Sequence, residues 1–137
     1  MITTTTLGLQ DAKNIAAAAE AAAIKYNCMV SIAVVNEPGH LLYFIRMDGS
    51  TNASADIAIA KARHAVYYNR DTAFHENLLT QGNNLVLSLP NSMPIEGGVR
   101  ILFENKTIGA IGVSGASSKD DGIIAMAGAA TGSEQVT

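Results

Sequence analysis

The sequence is poor in several residue types that common functional sites require. It has no tryptophan and a single cysteine, Cys28, so neither an internal disulfide nor a thiolate metal cluster can form. Charged residues make up only 15% of the chain, the net charge is −3, and no Lys/Arg cluster is present. Nucleic-acid binding is therefore not expected. The first ten residues lack a basic region and an apolar run, so no signal peptide is predicted and a cytoplasmic location is expected.

Small apolar residues are abundant instead. Hydrophobic residues make up 48% of the 137 positions, and alanine supplies many of them. A packed core is therefore expected, and the length fits one domain over residues 1–137. The alanine-rich stretch of low charge, 14–23, is too short to cross a bilayer, so no membrane association is predicted.

Periodicity predicts four helices and two β-hairpins. Apolar positions spaced by three and four predict a first helix, and β-branched runs around the turn at 36–40 predict the first hairpin. The predicted helices are 9–27 (capped by the preceding threonines), 55–69 (capped by Asn52 or Ser54), 71–79 (capped by Asp71) and 117–131; the predicted strands are 28–35, 41–47, 99–103 and 107–115. Residues 80–94 are irregular and long enough for a functional loop. This order predicts an α+β fold with a mostly antiparallel sheet and helices packed on it.

The three histidines lack the spacing of a compact metal site, so no metal ligands are predicted. His40 follows a turn and His75 lies in a polar stretch, and both are expected to be exposed. His64 lies three residues after Lys61 on a helix that is otherwise rich in alanine and isoleucine, so both project from one face. Two interpretations of His64 stay open. It is either a buried histidine with a backbone partner, or a general base or haem ligand.

Lys61 lies between small apolar residues of the same helix. It either extends its amine to the surface or is a buried cation that needs a carboxylate. The candidate partners are Glu96, Asp48 and Asp56. Asp120 and Asp121 are interpreted instead as charges at the N-terminus of the last helix.

Arg46 and Asp48 flank Met47 at the end of a predicted strand, so their side chains are expected on the same side of the sheet. Two interpretations stay open here as well. The pair is either a surface ion pair that contributes little stability, or part of a clamp for a carboxylate or propionate.

The stretch MPIEGGVR, residues 93–100, joins a carboxylate to two adjacent glycines. Glu96, Gly97 and Gly98 form either a bulge that enters the next strand or a place where a ligand approaches the backbone. We favour the ligand site and expect Lys61, His64 and Arg46 to converge on it. The glycines of GAIGVSG, residues 109–115, are interpreted as positions of close packing against a helix or a second subunit.

Four segments together resemble a known family: SIAVVNEPGHLLYFIRMDGS, DIAIAKARHA, MPIEGGVRI and TIGAIGVSGASSKDDGIIAMAG. They occur in the order and spacing of the GlcG/HbpS family, which includes haem-binding proteins and PduO-type C-terminal domains. The resemblance implies a profilin-like α/β fold and homo-oligomers, in some members octamers. It also implies haem or iron binding in some members and, in many, a place in a catabolic pathway without an assigned reaction.

The family pattern carries over to a set of positions with three departures. Asn36 and Glu37 stand where members usually have an aspartate, His64 stands where threonine is common, and Arg100 replaces a usual proline. The positions that match are Arg46, Asp48, Lys61, Gly97, Gly98, Gly112, Ser114, Gly115 and Asp120.

Three functions are compatible with these residues. The first is an oligomeric binding protein for haem, another tetrapyrrole or a small organic anion, with Arg46 on the propionates and His64 or His40 on the iron. The second is a cofactor-independent isomerase, lyase or hydrolase that acts on a small organic acid or carbonyl compound by acid–base catalysis. The third is an accessory subunit without a ligand. The predicted catalytic residues are Glu96, His64 and Lys61, and the predicted ligand-binding residues are Arg46, Asp48, Gly97, Gly98 and Arg100.

Overall fold

The computed structural model describes residues 1–135 and shows a four-stranded antiparallel sheet with helices on both faces. The strand order is β2-β1-β4-β3, so β2 and β3 are the two edges. In chain order the elements are α1 Leu9–Lys25, β1 Ser31–Asn36, β2 Leu41–Arg46, α2 Asn52–Tyr68, α3 Thr72–Thr80, a 3₁₀ helix Asn84–Ser88, β3 Gly98–Phe103, β4 Lys106–Ser114 and α4 Ser118–Gln135. The predicted α+β fold with an antiparallel sheet is confirmed.

Alternation along β1 separates two cores. Ile32 and Val34 face the larger core, which α1 and α4 complete. Ala33 and Val35 face the other side and pack against alanines of α2. Successive side chains of a strand point to opposite faces, so a strand buried on both sides is apolar throughout, as this one is.

α2 approaches the sheet closely because β4 contains a glycine where the two elements meet. A Cβ on Gly112 would lie 2.0 Å from the carbonyl oxygen of Ala58 in α2. Any side chain there would push the helix away from the strand. The interpretation of this glycine as a position of close packing is confirmed, and the partner is a helix of the same chain.

Two of the predicted helix caps are wrong. α1 follows Gly8, whose N–H donates to the carboxylate of Asp11 at 3.0 Å, so the threonines before it do not cap the helix. α2 follows Thr51, and the hydroxyl of Ser54 donates to the carbonyl of Thr51 at 2.6 Å within the first turn. Asp71 does stand directly before α3, as predicted, but its side chain makes no capping hydrogen bond. Within residues 1–135, no helix combines the length and apolar character that crossing a membrane requires.

Candidate functional site

The residues around the glycine pair form a buried polar cluster, here called the glycine-pair site: Glu96, Gly97, Gly98, Lys61 and Asp121. Lys61 is only 1% exposed. Its Nζ donates to the carbonyl of Val113 at 2.9 Å and to Oδ2 of Asp121 at 3.1 Å. Of the two interpretations of Lys61, the buried cation is therefore the correct one. The partners proposed for it from the sequence, Glu96, Asp48 and Asp56, are wrong, because the ion pair is made with Asp121.

Asp121 binds both Lys61 and the backbone at the start of α4. Its Oδ1 accepts the N–H of Ala116 at 2.9 Å while Oδ2 binds Lys61. Burial raises the pKa of Asp121, and the charge of Lys61 and the amide of Ala116 oppose that rise. An interpretation of Asp121 as a helix-terminal charge alone is thus incomplete, since the side chain joins α2 to α4.

Gly97 and Gly98 allow α2 to approach the start of β3. Gly97 has φ +134, and a Cβ there would lie 2.7 Å from Nζ of Lys61. A Cβ on Gly98 would lie 2.4 Å from the carbonyl oxygen of Lys61. The N–H of Gly98 donates to the hydroxyl of Thr72 at 2.9 Å, so it already has an acceptor. Packing therefore accounts for both glycines.

Glu96 is half-buried beside the first turn of α4. A Cβ on Gly122 would lie 2.4 Å from Oε2 of Glu96, so the carboxylate lies directly against that glycine. The N–H of Glu96 donates to Oε1 of Glu76 at 3.2 Å. Burial and then the charge of Glu76 raise the pKa of Glu96, while Lys119 and Lys61 oppose the rise. A carboxyl group with a raised pKa is suited to exchange a proton nearer neutral pH.

His64 is fully buried, and both of its ring nitrogens have partners. Nδ1 accepts the N–H of Met93 at 2.8 Å, and Nε2 lies 3.0 Å from Nδ1 of His75. Since Nδ1 is an acceptor, the hydrogen bonds assign the proton of the neutral ring to Nε2, which donates to His75. Burial and the neighbouring His75 lower the pKa of His64 to about 4. The interpretation of His64 as a buried histidine with a backbone partner is confirmed.

His75 is also buried, at 7% exposure, so the expectation that it is exposed is wrong. Burial and the charge of Arg70 lower its pKa. His40 is exposed, as expected from its place after the turn.

Arg46 closes its own loop and does not reach the glycine pair. Its Nη2 donates to Oδ1 of Asn52 at 2.7 Å and to the carbonyl of Ser50 at 3.2 Å. Arg46 ends the edge strand β2, and the glycine pair begins the opposite edge, roughly 14 Å away at the usual strand spacing. Among the side chains of residues 1–133, Arg46 forms no ion pair with Asp48, so the interpretation as a surface ion pair is wrong.

Arg100 turns toward α3. Its Nε donates to Oδ1 of Asp71 at 3.0 Å, and its backbone N–H donates to the same oxygen at 2.9 Å. Lys61 thus lies against the glycine pair as expected, whereas Arg46, Arg100 and His64 direct their polar atoms elsewhere.

A cleft of about 610 Å³ runs along the exposed face of α2 and is here called the α2 cleft. One side is formed by the hairpin turn at Pro38–His40 and the other by Asn91 and Ser92. α2 supplies the floor with Asp56, Ile59, Ala60, Arg63, Val66 and Tyr67. Of the residues singled out from the sequence as ligands, only His40 lines it.

The α2 cleft combines the apolar floor residues Ile59, Ala60 and Val66 with a few polar groups. Nε of Arg63 donates to the carbonyl of Gly39 at 3.3 Å, which holds the guanidinium beside the turn. The hydroxyl oxygen of Ser92 is buried and, among the described residues, has no hydrogen-bond partner. Tyr67 and His40 are exposed. The spacing of Asp56, Ile59, Arg63 and Val66 on one helical face was the signal in the sequence that could have indicated this surface.

These features define a small α+β protein with one antiparallel sheet, a buried ion pair beneath it and an open cleft along one helix. Residues 7–130 match the family model described as haem degrading protein HbpS-like, and the chain belongs to this family. Protein GlcG of Escherichia coli (strain K12) is 39% identical over 114 residues, which cover 83% of this chain and 85% of that protein. The resemblance to the GlcG/HbpS family is confirmed.

Solved structures of the same kind superpose closely. Klebsiella pneumoniae protein ORFY gives a TM-score of 0.91 at 28% identity, over 97% of this chain and 94% of that one. A double mutant of Streptomyces reticuli HbpS gives 0.87 at 35% identity, over 95% of this chain and 89% of that one. The fold predicted from the resemblance is the fold of these proteins.

Proposed function

We propose that this protein binds haem or a related tetrapyrrole in the α2 cleft. The observation that carries the proposal is the composition of the cleft, with apolar residues and Arg63 on its α2 floor and His40 at one side. Its volume of about 610 Å³ lies within the range of small-molecule pockets. The family description, haem degrading protein HbpS-like, supports a tetrapyrrole over other ligands of that size.

The residues present fit such a ligand. Ile59 and Val66 offer apolar surface to a planar macrocycle, the imidazole of His40 can bind iron, and Arg63 can pair with a propionate. When bound, haem would supply an iron centre for redox or ligand-binding chemistry. In this proposal His40 would bind the iron rather than His64, whose two ring nitrogens are both engaged. Arg63 takes the role first considered for Arg46.

A hemin titration followed by absorbance tests the proposal. We expect a shifted Soret band at one hemin per chain. His40→Ala should change the position of that band, and Arg63→Gln should weaken binding about tenfold through loss of a charge-assisted contact. Arg70→Gln is the matched control, because Arg70 is also exposed near the end of α2 but does not line the cleft. An unshifted band, or wild-type behaviour of both cleft variants, would rule the proposal out.

A second function has one specific observation in its favour, the raised pKa of Glu96 beside Glu76. We infer that Glu96 could exchange a proton with a small organic acid or carbonyl compound at the glycine-pair site. Lys61 would act by its charge, since its amine is already bound to Asp121 and Val113. His64 and the Gly98 amide have partners of their own, so in this proposal neither takes part.

Proton exchange in deuterium oxide tests this second function without knowledge of the product. Pyruvate incubated with the protein should lose its methyl proton signal faster than pyruvate alone, and Glu96→Gln should abolish the difference. Glu104→Gln, in the exposed turn between β3 and β4, is the control. If Glu96→Gln exchanges protons at the wild-type rate, Glu96 is not the base.

We also propose that the protein forms homo-oligomers. Ile123 and Met126 are exposed one turn apart on α4, at 43% and 62%, and apolar side chains on one helix face favour association. Light scattering after size exclusion should give a mass that is a multiple of 14.3 kDa. Met126→Lys should lower that mass, and a monomeric wild-type protein would contradict the proposal.

A further inference from the structure

We propose that His64 is a positioning residue that holds residues 90–93 in place as one wall of the α2 cleft. The inference rests on the proposed function, because it assigns a role to the cleft that binds the ligand. His64 does not line the cleft and would not touch the ligand. It acts through the backbone of Met93.

The segment 90–93 is tied to α2 at both of its ends. The carbonyl of Pro90 accepts a hydrogen bond from the hydroxyl of Tyr68, and the N–H of Met93 donates to Nδ1 of His64 at 2.8 Å. Asn91 and Ser92, which line the cleft, lie between these two anchors. Both anchoring side chains belong to the last two turns of α2, the helix that forms the floor. The helix that forms the floor of the cleft, α2, thus also holds residues 90–93 in place.

The orientation of the His64 ring is fixed from the other side by α3. Nε2 of His64 lies 3.0 Å from Nδ1 of His75, and the two rings meet edge to face with centroids 4.7 Å apart. The ring of Tyr68 lies 5.0 Å from the same imidazole. With Nε2 committed to His75, Nδ1 is available only as the acceptor of Met93, and the ring is held at the depth that reaches this amide.

The arrangement requires a neutral imidazole. A protonated ring carries hydrogens on both nitrogens and cannot accept the N–H of Met93. The ionisable groups around the ring are His75 of α3 and, beyond it, Arg70, with Tyr68 of α2 against the same ring. Burial and His75 keep His64 neutral at physiological pH. Protonation of His64 at low pH is therefore expected to break its hydrogen bond with the Met93 amide.

Two amide substitutions test the roles of the two ring nitrogens of His64 one at a time. In His64→Asn, Oδ1 takes the place of Nδ1 and can still accept the N–H of Met93, while the bond to His75 is lost. In His64→Gln, the longer side chain reaches the place of Nε2 and His75, while the Met93 amide loses its acceptor. The two variants are similar in polarity. Asparagine is one methylene shorter and leaves more empty space, an effect that would weaken His64→Asn and so opposes the expected order.

The first measurement is hydrogen exchange at the Met93 amide, which needs no ligand. We expect protection relative to the intrinsic rate to fall about tenfold in His64→Gln, as loss of one hydrogen bond predicts, and to stay within about threefold of wild type in His64→Asn. In the wild type, protection should also fall as the pH is lowered from 6 toward 4, and in His64→Asn it should fall clearly less. Equal protection in both variants, or a wild-type profile flat with pH, overturns the assignment.

The second measurement is hemin affinity. His64→Gln should bind hemin three- to tenfold more weakly than His64→Asn, with the Soret position unchanged because His40 is intact. Equal affinities together with unequal Met93 protection would mean that the wall does not shape the cleft, which overturns the role assigned to it. Failure of the wild type to bind hemin would reject the proposed function alone, since the exchange data decide the anchoring by themselves. If His64→Gln does not fold, the pH profile of the wild type against His64→Asn decides it.

Discussion

At the residue scale, the approach of Lys61 to the glycine pair determines which substitutions the chain can tolerate. A Cβ at position 97 would lie 2.5 Å from the carbonyl oxygen of Val113 and 2.7 Å from Nζ of Lys61. The backbone of Gly97 also has φ +134, a conformation that residues with side chains rarely adopt. The space and the backbone thus both require glycine.

Gly97→Ala should therefore destabilise the protein by about 2–4 kcal/mol, from overpacking and from the positive φ. Gly82→Ala is the matched control, because Gly82 has φ +96 and no heavy atom within 4 Å of an added Cβ. It should lose only about 1 kcal/mol. Urea unfolding gives both values, and equal losses would mean that the contact with Lys61 is unimportant.

The ion pair of Lys61 and Asp121 makes a second prediction at this scale. Lys61→Met leaves a buried carboxylate without its cation, which should cost about 3–5 kcal/mol at pH 7. Adding Asp121→Asn removes the uncompensated charge and should recover a large part of that loss. Urea unfolding of the two variants tests this coupling. A double variant no more stable than Lys61→Met would show that charge is not the cause.

From the sequence, Lys61 was either an exposed amine or a buried cation with a carboxylate partner, and Asp121 was not among the partners considered. Asp121 lies 60 positions further along the chain and stands at the start of a helix, where an acidic residue already has a local explanation. His64 was likewise predictable only in part. The helix face on which it lies was evident from its spacing to Lys61. Its backbone partner, the Met93 amide, was not, because that amide belongs to an irregular segment without periodicity.

At the scale of elements, one side chain joins the start of α3 to the edge strand β3. Oδ1 of Asp71 accepts both the backbone N–H and Nε of Arg100. The backbone N–H of an edge strand needs such an acceptor, because no further strand supplies one. The pair is partly exposed, so the hydrogen bonds contribute more than the charge.

Asp71→Asn keeps an oxygen acceptor and should change stability by less than about 1 kcal/mol, whereas Asp71→Ala should lose about 1–2 kcal/mol. The difference in melting temperature between the two variants measures the hydrogen bonds apart from the charge. If Asp71→Asn is as unstable as Asp71→Ala, the charge matters more than the acceptor.

The type and order of the elements could be predicted from the sequence because each has a strong local period. The boundaries were less certain, as α2 shows by beginning at Asn52 rather than near residue 55. The α2 cleft could not be found in the same way. Its sides come from a hairpin turn, a helix face and residues 91–92, and only the fold brings these three segments together.

At the scale of the whole molecule, two sets of buried groups give opposite responses to pH. His64 and His75 have lowered pKa values, so the folded state favours their neutral forms. Their contribution is complete above the unfolded pKa near 6.5 and is lost as the pH falls. Glu96 and Asp121 have raised pKa values, so their contribution is present at low pH and is lost as the pH rises through the folded pKa.

Of these four groups, the two histidines lose their contribution to stability on acidification, because the carboxyl groups with raised pKa values respond in the opposite direction. The shift of the pKa of His64 from 6.5 to about 4 corresponds to ~3 kcal/mol, lost mainly between those two values. Urea unfolding of the wild type should therefore show a fall in stability between pH 6.5 and 4.5. His64→Asn cannot titrate, so its curve should fall less over this range, with the remainder due to His75.

Urea unfolding of Glu96→Gln distinguishes the histidine from the carboxylates. The stability of this variant should still fall between pH 6.5 and 5. A slope in His64→Asn equal to that of the wild type would place the pH dependence elsewhere. If stability and the protection of the Met93 amide fall over the same pH range, protonation of His64 accounts for both. The bond that holds the cleft wall would then open in the same pH range in which the fold begins to lose stability.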